Sequence, residues 1–368
     1  MIYFWNLLKN IDKALLILPV CFSVFSITII ASTAYQGQFV FSSDVKTQIA
    51  AYCLGFFAML VVLFIDYHIY LRFEKILYAA SIIFLLLVYV PGLRHASDGG
   101  ARWINLGVST FQPSELVKIS LILLAAIYIS KNRESLKSFK GVALSFLYVS
   151  PFIVIVLLED LGSAIVMGFS WLVMAFFAGM SYKLFAKLSL VAVVCMPIVY
   201  RFLGDYQKRR IDAFLNPEDL MLPGNWQVWQ SKIAIGSGGL LGKGLFAGVQ
   251  KELDFLPVQK SDFIFSVIVE ELGLVGGAFL ILLYMIFLYR ILRIAYKAKD
   301  LYGALIAIGA IGMFMFQIFE NIAMTMGLMP VTGITLPFIS SGGSSVLSCM
   351  IMVGLILNIG IRNKIINF

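Results

Sequence analysis

The sequence predicts an all-α fold: a polytopic membrane bundle of about ten transmembrane helices, both termini cytoplasmic, with one long outer loop region. Three observations predict it. Of 368 residues, 61% are apolar and only 13% charged, against roughly 25% charged in soluble domains, so a water-facing surface cannot be covered. Apolar runs near the roughly 20 residues that span a ~30 Å hydrocarbon core recur from end to end. These runs do not alternate apolar with polar residues, as β-barrel strands would.

The first run, Ala14 to Ala31, follows Lys9 and Lys13. Ser32-Thr33-Ala34 resembles a signal cleavage site, but the run exceeds the usual signal core of about 7–15 residues, so it is read as a helix. Ile49 to Ile65 and Ile76 to Pro91 flank the basic Arg72 and Lys75. Pro113 to Ile129 opens on a proline, which suits a first helical position. Val142 to Leu158 ends at Glu159-Asp160, and Gly162 to Ala178 follows directly. Leu184 to Leu203 closes at Gly204; Leu272 to Leu292, Leu301 to Met326 and Ser345 to Ile361 complete the set. The whole chain, 1–368, reads as one transmembrane domain, with 204–262 as a large extracellular loop region within it.

Lys and Arg set the orientation. With the N-terminus inside, the inner loops hold Lys9, Lys13, Arg72, Lys75, Lys131 and Arg133 among others, whereas the short outer loops hold Lys46, Arg94 and Arg102. The net charge of +8 is therefore a topological bias and not a nucleic-acid footprint. Cys21, Cys53, Cys195 and Cys349 lie singly in apolar runs, without zinc or redox spacing, and read as small core residues. With two histidines, His68 inside and His95 outside, a histidine-based triad or a cluster of His ligands is implausible, and proton transfer is expected to rest on carboxylates.

Two outer segments stand out, 92–112 and 204–262, because loops that long in a compact fold are usually functional. The longer one carries Trp226, Trp229, Phe246, Phe255 and Phe263. A solvated linker would not carry so many aromatic residues, so it is expected to fold back onto the outer membrane face.

Ionisable groups near the bilayer are the sharpest signal, since each costs about 2.5–3.5 kcal/mol at a helix centre. Glu115 and Lys118 share one face at the start of their helix. They are either a helix-start acid with its neutralising partner or a charged pair lining an outward polar cavity, with Lys118 on a phosphate oxygen. Asp262 stands where the long segment enters the membrane, and reads either as an N-cap or as a general base with a carboxyl raised by partial desolvation. Glu270 and Glu271 are odd in a span; an interfacial or re-entrant helix over 263–271 would leave them hydrated. Glu320 alone lies deep within a span. Gly236, Gly238, Gly239, Gly242 and Gly244 lack P-loop spacing and read as flexible turns more readily than as a phosphate nest. The Ser340-Ser341-Gly342-Gly343 run opens the last helix, and either presents amides to an anion or simply caps it.

In combination and in order, several stretches resemble the SEDS family, the shape, elongation, division and sporulation proteins. They are GGARW at 99–103, QPSELVK at 112–118, WQVWQSKIAIGSGGLLGKG at 226–244, SDFIFSVIVEELG at 261–273, Glu159 to Gly162, and Pro330 to Gly333 with the PFISSGGSS run at 337–345. The resemblance covers nearly the whole chain. It implies a multi-pass protein of the bacterial cytoplasmic membrane that polymerises lipid II into β-1,4 glycan strands on the outer face. Asp262 would then be the catalytic base, with inversion at an undecaprenyl-pyrophosphate donor. Lys118, Glu115, Arg102, Trp103, Asp160, Ser340, Ser341 and Gly342 become substrate-binding candidates. The short tails and the Trp226-Gln227 pair favour the elongation branch over division or sporulation.

The resemblance also implies a class B penicillin-binding protein as transpeptidase partner, and other elongation-complex membrane proteins around it. It leaves room for a divalent cation, magnesium or manganese, near Glu115 and Asp160, although no dedicated metal-ligand spacing is present. Val258 and Ser261 depart from the Glu and Thr often found in the family. Two alternatives stay open: a lipid II flippase, and a non-catalytic wall-synthesis scaffold. A flippase needs charges along a path through the bilayer, whereas here they gather at the outer ends of helices.

Overall fold

The computed structural model describes residues 11–35, 41–92, 94–97, 100–105, 110–222, 224–248 and 259–362. Each of the ten predicted runs coincides with a helix: α1 Lys13–Thr33, α2 Ser43–Phe64, α3 Glu74–Leu86, α4 Pro113–Lys131, α5 Phe139–Leu157, α6 Leu161–Phe177, α7 Tyr182–Phe202, then α10 Ile264–Tyr296, α11 Leu301–Thr325 and α12 Gly343–Arg362. Seven of these are long and apolar enough to cross a membrane. The chain is a polytopic helical membrane protein.

The starts follow their side chains. Asp12, Ser42, Ser138, Asp160, Ser181 and Asp300 each accept an amide of the first turn of the following helix, which satisfies donors that no helical carbonyl reaches. The centre of the bundle is α4, α11 and α12, whose most apolar stretches are 78%, 78% and 83% buried, against 33% for α2, α5 and α10. On those outer helices Phe57, Leu60, Leu274, Phe279 and Met285 are exposed, the surface a lipid solvent selects. Cys21 and Cys53 share that exposure, contrary to their reading as core residues, and Cys349 alone of the described cysteines is buried. The side chain of Cys195 lies outside the described residues.

Two expectations for the outer segments need correction. The first is not all loop. Arg94–Ser97, Gly100–Asn105 and Thr110–Phe111 form a three-stranded antiparallel sheet, β1 to β3, with Trp103 opposite His95 and Ile104 opposite Phe111. Ile104 is buried with Val88, so the strand has an apolar face to hide. The long segment carries two helices, α8 Asp205–Leu215 and α9 Asn225–Gly238. Gln207 ties α8 down by donating to the Leu157 carbonyl at 2.9 Å. Phe255 and Val258 lie outside the described residues.

The third correction concerns the acids of α10. This helix breaks at Gly273 (φ 70°, ψ −172°), which separates a segment 264–272, close to the expected 263–271, from the span proper. Glu270 and Glu271 are not hydrated; both are fully buried. The glycine run lies across the break: the amides of Lys243 and Gly244 donate to the carbonyls of Glu270 and Glu271, both at 3.0 Å, and that of Leu274 to Gly239 at 2.9 Å. Lys243 pairs with Glu270 at 2.8 Å, and the Ser32 hydroxyl donates to Glu271 at 2.5 Å. A Cβ on Gly242 would stand 2.1 Å from the Glu271 carbonyl oxygen. Gly238 and Gly242 are glycine because two backbones meet there, and the amides of Lys243 and Gly244 are spent on those carbonyls and not on a phosphate.

Candidate functional site

The outer ends of α6 and α11, the start of α10, the helix α8 and strand β2 converge on the loop 330–342. Asp262 sits two residues ahead of α10, and it does not cap that helix. Phe263 occupies the N-cap position without a side-chain bond. The Asp262 Oδ1 instead accepts the Ser261 hydroxyl at 2.9 Å. Asn321 on α11 fixes the backbone around it, its Nδ2 donating to the carbonyls of Asp262 at 3.0 Å and Ile334 at 2.8 Å. The reading of Asp262 as a structural cap therefore has no support in its contacts.

Gly333 marks the centre. A Cβ there would stand 3.4 Å from Arg210 Nη1, 3.5 Å from Asp262 Oδ2 and 3.7 Å from Arg102 Nη1. With φ at +77°, the position also favours glycine conformationally. One carboxylate and two guanidinium groups thus face a single small open space. Burial pushes the Asp262 carboxyl above the ordinary aspartate value; the Ser261 hydroxyl and the charges of Arg210 and Arg102 oppose that rise, and Asp160 adds to it.

The two arginines are held from different elements. Arg102 on β2 donates Nε to the Glu159 carbonyl at 2.8 Å and lies 5.7 Å from the Tyr206 ring centroid. Arg210 on α8 lies 4.4 Å from the same centroid and donates to the hydroxyl of Tyr206. Tyr206 is thus an aromatic spacer that keeps two cations side by side. Trp103, next to Arg102 on β2, is half-buried.

Asp160 has a positioning geometry. Its Oδ1 accepts the Ser163 amide at 3.1 Å and its Oδ2 the Gln112 Nε2 at 2.9 Å. Ser340, Ser341 and Gly342 do not present a row of free amides. The Ser340 hydroxyl donates to the Ser261 carbonyl at 2.5 Å, the Ser341 amide to Lys260 at 2.9 Å, and the Gly342 amide to Gln48 at 3.3 Å. This loop is anchored in the core by Phe338, which takes a left-handed φ of 65° and stacks against Phe22 and Phe314 at 5.2 and 5.7 Å. A strained non-glycine residue persists only where packing over-determines it. The run that opens α12 therefore fixes the backbone that carries Asp262.

Glu115 and Lys118 stand apart from this centre. Their ion pair is 2.7 Å long, with Lys118 only 2% exposed, and the Ser348 hydroxyl donates to the other Glu115 oxygen at 3.0 Å. The pair is enclosed between α4 and α12. Glu320, also buried, accepts the Thr332 hydroxyl at 2.7 Å and so holds the loop beside Gly333. No group of three or more metal-ligating side chains gathers among the described residues. Asp262 faces two guanidinium groups, with Asp160 the one further acid whose charge reaches it, a donor set unsuited to a divalent cation.

Arg210, Tyr206 and Asn321 were missing from the sequence reading. Arg210 lies in a basic stretch, 208–210, indistinguishable by composition from a solvated face, and only the fold brings it to Asp262.

The profile of the FTSW_RODA_SPOVE family, described as cell cycle protein, matches residues 7–365. The chain is 36% identical to peptidoglycan glycosyltransferase MrdB of Escherichia coli (strain K12) over 367 residues, 99% of this chain and 97% of that protein. It is 37% identical to stage V sporulation protein E of Bacillus subtilis (strain 168) over 317 residues, 85% and 86% of the two chains. Among solved structures, it resembles a chain of a peptidoglycan synthase complex described for coordination of polymerization and crosslinking, with TM-score 0.83 and 28% identity over 96% of this chain and 99% of that one. It also resembles the rod shape determining protein RodA of Thermus thermophilus, with TM-score 0.70 and 27% identity over 96% and 98%.

Proposed function

This chain belongs to the FTSW_RODA_SPOVE family of cell cycle proteins, and from that membership we infer that it is a peptidoglycan glycosyltransferase of the inner membrane, building the wall during elongation. Its substrate is lipid II, and the reaction joins disaccharide units into β-1,4 strands at the outer face. The observation that carries this reading is the meeting of Asp262, Arg102 and Arg210 at Gly333.

In the proposed reaction, Asp262 Oδ2 takes the proton of the acceptor sugar hydroxyl. That oxygen forms a bond to the anomeric carbon of the donor from the face opposite the pyrophosphate. The carbon–oxygen bond to undecaprenyl pyrophosphate breaks, and the α-linked donor becomes a β-linked product. Arg102 and Arg210 offset the charge that develops on the departing pyrophosphate. A carboxyl held above its ordinary value is a stronger base than a solvated aspartate, which favours this role. Ser340, Ser341, Asn321 and Glu320 act through the loop and hold the base in place. Glu115 and Lys118 brace α4 against α12. Residues 1–368 act as one transmembrane domain, with 204–262 supplying the outer cover.

The partner is a class B penicillin-binding protein that cross-links the strands; the likeness to a synthase complex coordinating polymerization with crosslinking supports this. The test is polymerisation of labelled lipid II by the purified chain, alone and with that partner, beside an assay of lipid II movement across vesicle membranes. Strands formed without transbilayer movement support the transferase. Movement without strands makes it a flippase, and neither makes it a scaffold.

A further inference from the structure

A groove opens beside the site, lined by Arg210, Phe214, Trp229, Lys232, Met329 and Pro330 among others. One wall is a single face of α9, since Asn225, Val228, Trp229 and Lys232 recur at helical spacing. The other wall is the C-terminal half of α8, and the floor is the loop after α11. The groove shares Arg210, Pro330 and Val331 with the smaller pocket that contains Arg102 and Thr332. It therefore adjoins the pocket that holds Arg102, next to the loop that carries Gly333.

Three features give the groove a chemistry. Trp229 and Phe214 are 49% and 38% exposed, so their ring faces are available to a ligand. Lys232 has no acidic partner among the described residues, and no Asp or Glu lines the groove. Lys232 is exposed at the mouth of the groove and its stem passes close to Gly327: a Cβ there would stand 2.5 Å from Lys232 Cε and 2.8 Å from Nζ. Aromatic faces with a few placed cations fit a sugar chain that carries anionic substituents.

We propose that this groove holds the peptide-bearing glycan strand next to the catalytic centre, with sugar faces on Trp229 and Phe214 and a stem-peptide carboxylate against Lys232. The inference rests on the glycosyltransferase reading and adds to it a strand-holding subsite. A strand held there remains beside Asp262 between additions, so the groove sets how many units are added before release.

The probe is a fluorescently labelled, lipid-free glycan oligomer with intact stem peptides, released from cell wall by a muramidase and titrated against the full-length protein. Lys232→Ala and Trp229→Ala should each weaken its binding about tenfold, the ratio that ~1.4 kcal/mol produces, and Lys232→Arg should restore most of it. In lipid II polymerisation, Lys232→Ala should shift the products to shorter strands. Wild-type binding by both alanine variants would overturn the proposal. So would competition by undecaprenyl phosphate as effective as that of unlabelled oligomer, which would make the groove a lipid site. If the wild type forms no strands yet binds the oligomer through Lys232, the transferase reading fails and the groove stands; if it polymerises while the variants bind normally, the groove alone fails.

Discussion

At the inner face, His68 bridges two carboxylates, Nδ1 to Asp66 at 2.8 Å and Nε2 to Asp300 at 2.9 Å; at the outer face, two arginines flank one carboxylate, Asp262. Each is a cluster of acids and cations at the end of a helical bundle. Their satisfaction differs. Arg362 takes the second oxygen of Asp66 at 2.9 Å, while the Gly303 amide and the Tyr67 hydroxyl, both at 2.7 Å, complete Asp300. Burial works against both inner acids, yet their hydrogen bonds and the nearby cations hold both carboxyls below the usual aspartate range. Asp262 accepts one hydroxyl, and its other oxygen faces the space at Gly333, so burial prevails and its carboxyl rises. A cluster that closes on itself is structural, whereas one that leaves an oxygen facing open space is arranged for a ligand.

Substitutions can break or sharpen that contrast. Lys118→Ala leaves a buried Glu115 charge without its partner and should lower stability by about 3–5 kcal/mol, read as a lower melting temperature in detergent. Replacing both residues with apolar ones, Glu115→Leu with Lys118→Met, should recover most of that loss. A fully stable Lys118→Ala would mean the pair is not a brace. Arg210→Ala should cost about 2.7–4 kcal/mol of transition-state stabilisation, a drop in kcat of about 10²–10³, with the melting temperature little changed. If kcat held, the arginines would be structural, like the inner cluster.

Smaller effects belong to the inner face. Asp300→Ala removes a cap and two side-chain bonds and should lower stability by about 1–2 kcal/mol while leaving strand synthesis unchanged. Because the folded state holds Asp66 and Asp300 below their ordinary values, their contribution is present at neutral pH and is lost as pH falls below about 4, as melting curves against pH would show. Asp262 has the opposite sign. The folded protein binds its proton more tightly than the unfolded chain does, so stability declines as pH rises from the ordinary aspartate value through the raised one. Above that raised value the ionised carboxylate costs stability, and Asp262→Asn should melt at or slightly above the wild type.

Most of the bundle was legible in the sequence, because in lipid the length of an apolar run and its flanking charges settle where a helix lies. The break within α10 was legible too, from two acids followed closely by Gly273. The burial of Glu270 and Glu271 was not, since their cover comes from the glycine run and from Ser32 on α1, far away in sequence. Asp262 could be singled out by its place at the membrane boundary and by the family resemblance. Arg210 and Asn321 could not, because a basic stretch on an amphipathic helix and an amide inside a span carry no local mark of the loop they reach. Ser340 and Ser341 were visible as a motif, but their bonding to 260–261 depends on how the loop folds.

The most direct measurement is the rate of lipid II polymerisation by Asp262→Asn beside the wild type, with melting temperatures taken on the same preparations. Loss of strand synthesis with an equal or higher melting temperature is the predicted result, since the carboxylate serves the reaction and not the fold. Wild-type synthesis by the asparagine variant would contradict the assignment of Asp262 as the base.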